Sequence, residues 1–278
     1  MLKECAQDFE ELSKNARKIT KLLEEYKKLV ISPTENAFLL QKKLGEIIKV
    51  AGTLPEFSLK GSLMSWIDHA REELEKAKED FRFQFGQQLK EILQKEGKKL
   101  RGQYPLLKID FYTLQLNFEF GETTLYFGPE IEKIRSKIPL QPEIIFETIK
   151  KYDDDLRTVR STPEDILKTL HEAYSRRLTL NSKSFGDKLL ITDVLNEFVM
   201  LKQSKRFFAD PQKANFREYS RVKLSYLLYL LKKSDLSDKG LRLYVATFDA
   251  TTDKMHSIWI PENENGEGTY YSYISFEK

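Results

Sequence analysis

Residues 203–233 read QSKRFFADPQKANFREYSRVKLSYLLYLLKK, and the spacing of their apolar positions decides how the C-terminal part of the chain is assembled. Asp210-Pro211 is a turn signal, because proline cannot continue a helix and aspartate bonds its own backbone. After it, Phe216, Tyr219, Val222, Tyr226, Leu227 and Leu230 recur at helical spacing, which predicts a helix over 215–233 with those side chains on its inner side. Before it, Leu190, Val194, Leu195, Phe198, Val199 and Leu201 predict another. The stretch also carries eight basic residues against two acids, while the whole chain has a formal net charge of only +3. A local excess of that size is the footprint that phosphate binding leaves, and a solvated helix face leaves the same one. With most of the aromatic rings inward, base stacking is the less favoured role for them. The candidate nucleic-acid-binding residues are then Lys205 and Arg206 before the turn, and Arg217, Arg221 and Lys223 after it.

Working outward, Ser161-Thr162-Pro163-Glu164-Asp165 is a strong helix start, followed by an apolar face of Ile166, Leu167, Leu170, Ala173 and Tyr174 and a basic end at Arg176 and Arg177. Residues 178–182 suit a short strand. Downstream, Leu241, Leu243, Val245 and Thr247 alternate with Arg242, Tyr244, Ala246 and Phe248, and two further strands are expected over 255–260 and 269–276. Helix, short strand, helix, helix, strand, strand is similar to the element order of a winged helix. There the third helix enters the major groove and the hairpin touches the backbone. Here the link between second and third helices is longer than usual, and one C-terminal strand is extra. Winged helices also serve as protein-docking modules, so the order does not settle a function.

The first hundred residues follow a different period. Leu2, Cys5, Phe9, Leu12, Ala16, Ile19, Leu23, Tyr26 and Val30 alternate spacings of three and four, which is a heptad seam. Ser32-Pro33-Thr34-Glu35 offers a capped helix start. A second seam runs Ala37, Leu40, Leu44, Ile47, Ala51, broken by Gly52-Thr53-Leu54-Pro55, and a third helix from near Ser62 continues through Ile92. The third outlasts the second, so Phe81, Phe83 and Phe85 need cover from elsewhere. The domain that follows is the first expectation, and a protein partner or a second copy the other, which makes these three the candidate partner-binding residues.

Between the two parts the period changes to two. Tyr112, Leu114, Leu116, Phe118 and Phe120 predict a half-buried strand, Gly121-Glu122 a tight turn, and residues 123–127 its hairpin partner. A short helix through Ile131 and Ile134 and a longer one over 143–151 are expected next. Lys151-Tyr152-Asp153-Asp154-Asp155 is the one compact acidic cluster, a conceivable Mg²⁺ site. Consecutive residues point in different directions, however, and no nearby acidic pair completes the cluster, so a solvated helix end is the expected reading and no metal or cofactor is assigned.

No uncharged apolar run approaches the roughly 20 residues that cross a bilayer, and the acidic N-terminus does not suit an export signal. Cys5 is the only cysteine, so neither an internal disulfide nor a cysteine-based zinc site is expected, and a reducing cytoplasm fits. His69, His171 and His256 are isolated. Phosphate-loop, dinucleotide-turn, nucleophile-elbow and Cys-His signatures are lacking.

The expectation is an α+β protein: an N-terminal antiparallel helical bundle or coiled coil (1–100), a central segment with a β-hairpin and short helices (101–160), and a basic, winged-helix-like α+β domain (161–278). A neutral docking module joined to a basic one suggests a non-enzymatic, cytoplasmic accessory subunit. It would meet nucleic acid, DNA being the first expectation, through its C-terminal domain, and a protein partner or a second copy through its N-terminal helices, with no membrane contact. Its general design is similar to that of accessory subunits in chromosome-maintenance or genome-defence assemblies. The alternatives are a pure protein-interaction scaffold and, third, a Mg²⁺-dependent nuclease using Asp153, Asp154 or Asp155.

Overall fold

The computed structural model describes residues 2–54, 58–130, 132–158, 161–234 and 240–277. Pro55 and Ile131 of the sequence reading lie outside them, as does the side chain of Cys5. The protein is mixed α+β with two antiparallel sheets, and it divides into two compact units. One holds Met1–Ile92, Asn117–Glu122 and Leu140–Pro142; the other holds Leu93–Leu116, Thr123–Pro139 and Glu143–Lys278. Residues 101–160 are therefore shared between the two.

In the first unit, α1 (Leu2–Leu29), α2 (Ala37–Ala51) and α3 (Ser58–Lys95) follow the apolar seams. Ile19, Leu22 and Tyr26 meet Leu40, Leu44 and Ile47 of α2 and Ile67, Ala70 and Leu74 of α3 in one buried core. The Tyr26 ring stands edge-on to Trp66 at 5.2 Å. Only the second half of the α1 seam is covered: Leu2 is 91% and Phe9 67% exposed. Length explains this, since α1 has 28 residues and its neighbour α2 only 15. The capped start expected at Ser32-Pro33-Thr34-Glu35 does not form, and α2 begins only at Ala37. Residues 31–36 form turns instead, and Asn36 Nδ2 donates back to Leu29 O (3.0 Å), closing α1.

At 38 residues α3 is roughly 57 Å long, and its later apolar face is covered by a loop rather than a helix. Strand β3 (Tyr112–Asn117) stops three residues short of the sequence expectation, because Asn117 Oδ1 accepts from the amides of Glu119 and Phe120 and bends the chain. Phe118 leaves the strand and packs on Phe85 (5.8 Å) and Phe81 (6.2 Å), while Phe81 meets Phe38 at 5.1 Å. Gln41 Nε2 anchors the loop through Glu119 O at 2.8 Å. Of the three phenylalanines assigned to a partner, Phe85 is thus fully enclosed, Phe81 half-buried, and only Phe83, 68% exposed, faces solvent.

The second unit opens with β1 (Leu100–Gln103) and β2 (Leu106–Ile109), a hairpin the sequence reading missed, and continues through β3, β4 (Glu122–Phe127) and β5 (Glu132–Pro139) as a meander in chain order. Where a short helix was expected through Ile134, β5 is a strand: Lys133 and Arg135 are exposed while Glu132 is buried and Ile134 half-buried, a period of two. Next come α4 (Pro142–Arg157), longer than expected, and α5 (Pro163–Leu180), where the Thr162 hydroxyl accepts from Asp165 N. Since α5 runs on to Leu180, the predicted strand over 178–182 is displaced to β6 (Leu189–Leu190). Then follow α6 (Ile191–Leu201), α7 (Lys205–Ala209), α8 (Arg221–Lys233), β7 (Leu241–Val245), α9 (Phe248–Thr251), β8 (Ile258–Pro261) and β9 (Gly268–Phe276). In the second sheet β9 is central, between β6 and β7. Tyr271 pairs with both Val245 and Ile258, so β8 and β7 lie on opposite edges of β9.

The core of this unit gathers around α8. Leu224, Leu227, Leu228 and Leu231 join Ile166, Leu170, Tyr174 of α5 and Val194, Phe198 of α6. The Ser225 hydroxyl donates to Trp259 O on β8 (2.5 Å), and Phe111, at the β2–β3 turn, packs on Tyr226 and Tyr229. Two turns depend on a left-handed backbone. Gly97 (φ 71) ends α3 with open space around its α-carbon, whereas Gly128 (φ 67) ends β4 with the Trp259 ring where a β-carbon would stand. Gly97→Ala is expected to lose about 1 kcal/mol, the left-handed cost alone, and Gly128→Ala about 2–4 kcal/mol because crowding adds to it. Urea unfolding of the two variants separates these; equal losses would contradict the close approach of Trp259.

Candidate nucleic-acid interface

The cationic stretch 203–233 is three local structures rather than two helices. Ser204 accepts from Phe207 N (3.2 Å) and starts the single turn of α7, and Asp210-Pro211 ends it. A 3₁₀ turn, Lys213–Asn215, follows. The buried Gln203 side chain then holds residue 217 by its backbone, donating to Arg217 O (3.0 Å) and accepting from Arg217 N (2.8 Å). That clamp keeps residues 216–219 out of a helix, and α8 begins only at Arg221, where Ser220 caps Lys223 N. Buried Asn215 ties the other side, donating to Asp210 O at 2.9 Å.

The backbone is pinned, but the charged side chains are not. Lys205, Arg206, Lys213 and Arg217 are all exposed, and among the described residues none has a carboxylate within ion-pair distance. Asp210, the one acid between them, is occupied locally by Gln212 Nε2 (2.5 Å) and Asn215 Nδ2 (3.3 Å). The aromatics divide. Tyr219 and Tyr226 pack inward as the period requires, but Phe208 is 60% and Phe216 39% exposed, both resting edge-on against half-buried Phe207. The inward expectation therefore fails for Phe216, which sits before α8 and does not follow its helical period, while Phe208, which that period did not include, is on the short α7.

Arg221 and Lys223, the other two candidates, face into the unit. Arg221 Nε donates to Glu132 Oε1 on β5 (2.7 Å), Nη1 to Lys254 O (2.7 Å) and Nη2 to Ser257 O (2.6 Å), so both guanidinium edges are bound by the fold. Lys223 Nζ pairs with Asp155 Oδ1 of α4 at 3.0 Å and is half-buried. Further along α8, Lys232 meets the Tyr271 hydroxyl and Lys233 pairs with Glu264. The cations left open thus lie before α8, not on it.

The acidic cluster is likewise divided by its helix. Asp153 and Asp155 point to different neighbours, Asp153 to Lys98 Nζ (2.6 Å) and Asp155 to Lys223, while Asp154 is exposed. Lys98 also pairs with Asp110 (2.5 Å), linking the residues after α3 to the β2–β3 turn and α4. Among the described residues no group of three His, Cys, Asp or Glu side chains is placed to hold a metal ion. Burial works against the Lys98 ammonium, but the bonds to Asp110 and Asp153 outweigh it and raise its pKa. Burial, and then the Asp153 charge, hold the Tyr112 phenol far above its usual range, so it stays protonated.

Sequence reasoning missed Lys133, Arg135 and Lys137. All three are exposed on β5 and without an ion pair among the described residues. Lys133 also lines a cavity of about 430 Å³ with Tyr152, Glu218, Ser220 and Lys223, which brings β5 beside the end of the cationic segment. The alternation Lys133-Ile134-Arg135-Ser136-Lys137-Ile138 carried the signal, and Pro129 obscured it by suggesting a helix start. No helix among the described residues is long and apolar enough to cross a membrane. No protein-family model matches the chain, and neither a curated protein nor a solved structure matches it.

Two stability measurements test these assignments. Arg221→Ala is expected to cost about 2–4 kcal/mol, since it leaves buried Glu132 with Lys254 Nζ (3.3 Å) as its remaining cation and strips the donors from Lys254 O and Ser257 O, while Arg217→Ala should stay within about 0.5 kcal/mol. Lys98→Met should cost about 2–3 kcal/mol near neutrality. The wild-type advantage over it should be constant from about pH 6 to pH 10, because a lysine with a raised folded pKa contributes fully below its unfolded value near 10.4 while its partners Asp110 and Asp153 are ionised. The advantage should fall as pH rises through the higher folded value. A difference that instead varied between pH 6 and 9 would mean that another group carries it.

Proposed function

We propose that this protein is a non-enzymatic accessory subunit that binds nucleic acid through residues 205–217 and contacts a protein partner through its N-terminal helices. One observation carries the nucleic-acid half: Lys205, Arg206, Lys213 and Arg217 project from a pinned backbone with no carboxylate partner among the described residues, while Arg221, Lys223 and Lys233 nearby are ion-paired. Cations held in place and left unneutralised are what displaces counterions from a phosphate backbone. Lys133 and Arg135 of β5 extend the same charge.

The order α5, β6, α6, α8, β7, β9, with β9 central, supports a winged-helix-like reading of residues 161–278. In this chain α8 is enclosed, so the proposal puts the nucleic acid on the segment that precedes it rather than on a helix inserted in a groove. The protein-docking half rests on the open apolar positions Leu2 and Phe9 of α1, where a heptad seam continues beyond its cover.

The test is a salt titration of binding to double- and single-stranded DNA and RNA by the full chain and by the triple variant Lys205→Glu, Arg206→Glu, Arg217→Glu. Affinity should fall steeply with salt for the wild type, and the triple variant should show a log–log slope smaller by about two to three. Equal affinity of variant and wild type at low salt would remove the nucleic-acid half. Binding that vanishes at ordinary salt without preference among the polymers would favour a protein-only scaffold.

A further inference from the structure

We infer that residues 205–217 take an unpaired strand, with bases stacking on Phe208 and Phe216. The inference rests on the reading of this segment as a nucleic-acid surface and names the form of nucleic acid. Single apolar side chains at a surface are ordinary, but two exposed phenylalanine rings supported by a third are not. Phe207 supports Phe208 at 5.7 Å and Phe216 at 5.4 Å, both edge-on, an arrangement that leaves the outer rings open to solvent. Charge brackets them in sequence: Lys205 and Arg206 precede the rings of α7, and Lys213 and Arg217 flank Phe216.

Aromatic faces set among backbone-tracking cations are the two elements of single-strand recognition, since every base offers a π-face once it leaves the duplex. In a duplex those faces are stacked on one another, and the rings would gain nothing. The enclosure of α8 points the same way, because the helix that would enter a major groove has its leucines in the core and its first cation on Glu132. The Gln203 clamp on Arg217 and the Asn215 bond to Asp210 fix the platform before a ligand arrives, so binding does not have to order it.

Fluorescence anisotropy at low salt with a labelled 20-nucleotide oligo(dT) and a 20-base-pair mixed-sequence duplex tests this on the full chain. The wild type should prefer the strand. Phe208→Ala and Phe216→Ala should each weaken oligo(dT) binding roughly tenfold and leave duplex binding within about twofold, while Phe208→Tyr should bind as the wild type does. Circular dichroism and thermal unfolding of Phe208→Ala should match the wild type, its ring being mostly outside the core; if Phe216→Ala unfolds, Phe208→Ala alone decides. Oligo(dT) binding unchanged in Phe208→Ala, or a wild-type preference for the duplex, overturns the inference. If charge reversal at Lys205, Arg206 and Arg217 still abolishes binding in that case, the proposed function stands without it. If charge reversal changes nothing, that function fails as well, whatever the phenylalanine variants do.

Discussion

Arg221 is the fixed point of the second unit. Its guanidinium donates to the Glu132 carboxylate on β5 and to two carbonyls, Lys254 and Ser257, just before β8. A charge-assisted fork of this kind is directional, so it sets the position of α8 as well as adding stability. Glu132 is buried against this guanidinium and Lys254 Nζ (3.3 Å), since an unpaired carboxylate in that place would cost several kcal/mol. With α8 held there, its leucines reach α5 and α6, its Ser225 reaches Trp259, and Tyr226 and Tyr229 receive Phe111.

Enclosing that helix decides where charge remains for a ligand. A cation that makes an ion pair inside the fold contributes little to the field outside it. Once Arg221, Lys223 and Lys233 are paired, the basic excess visible in the sequence is carried by the short segment before α8 and by one face of β5. The segment keeps its shape through polar bonds of buried Gln203 and Asn215, not through a core of its own, which lets phenylalanines stay at its surface.

The first unit shows the same dependence on distant contacts. The surplus apolar face of α3 was legible as a surplus, because a helix of that length must outlast α2. What covers it was not legible. A strand pattern over residues 112–120 runs through Phe118 without interruption, and only the Asn117 side chain, capturing two amides, turns Phe118 out of the strand and onto Phe81 and Phe85. The β5 strand was misread for a related reason: a proline in a turn signals a helix start and a strand boundary equally well, and pairing with β4 decides between them.

The sequence by itself determined the periods: three long N-terminal helices, a central region of period two, the helices after Thr162, the final strands, and the place where basic residues concentrate. These are local properties, set by side-chain spacing and by capping within a few residues. Tertiary structure alone decided which of the basic residues are free, which aromatics face out, and that the acidic cluster is split between two lysines. The partners that settle those questions lie far off in the chain, 89 residues for Arg221 and Glu132, 68 for Lys223 and Asp155, and 55 for Lys98 and Asp153. Charge neutralisation acts through space, and no local pattern records which carboxylate the fold will bring to which cation.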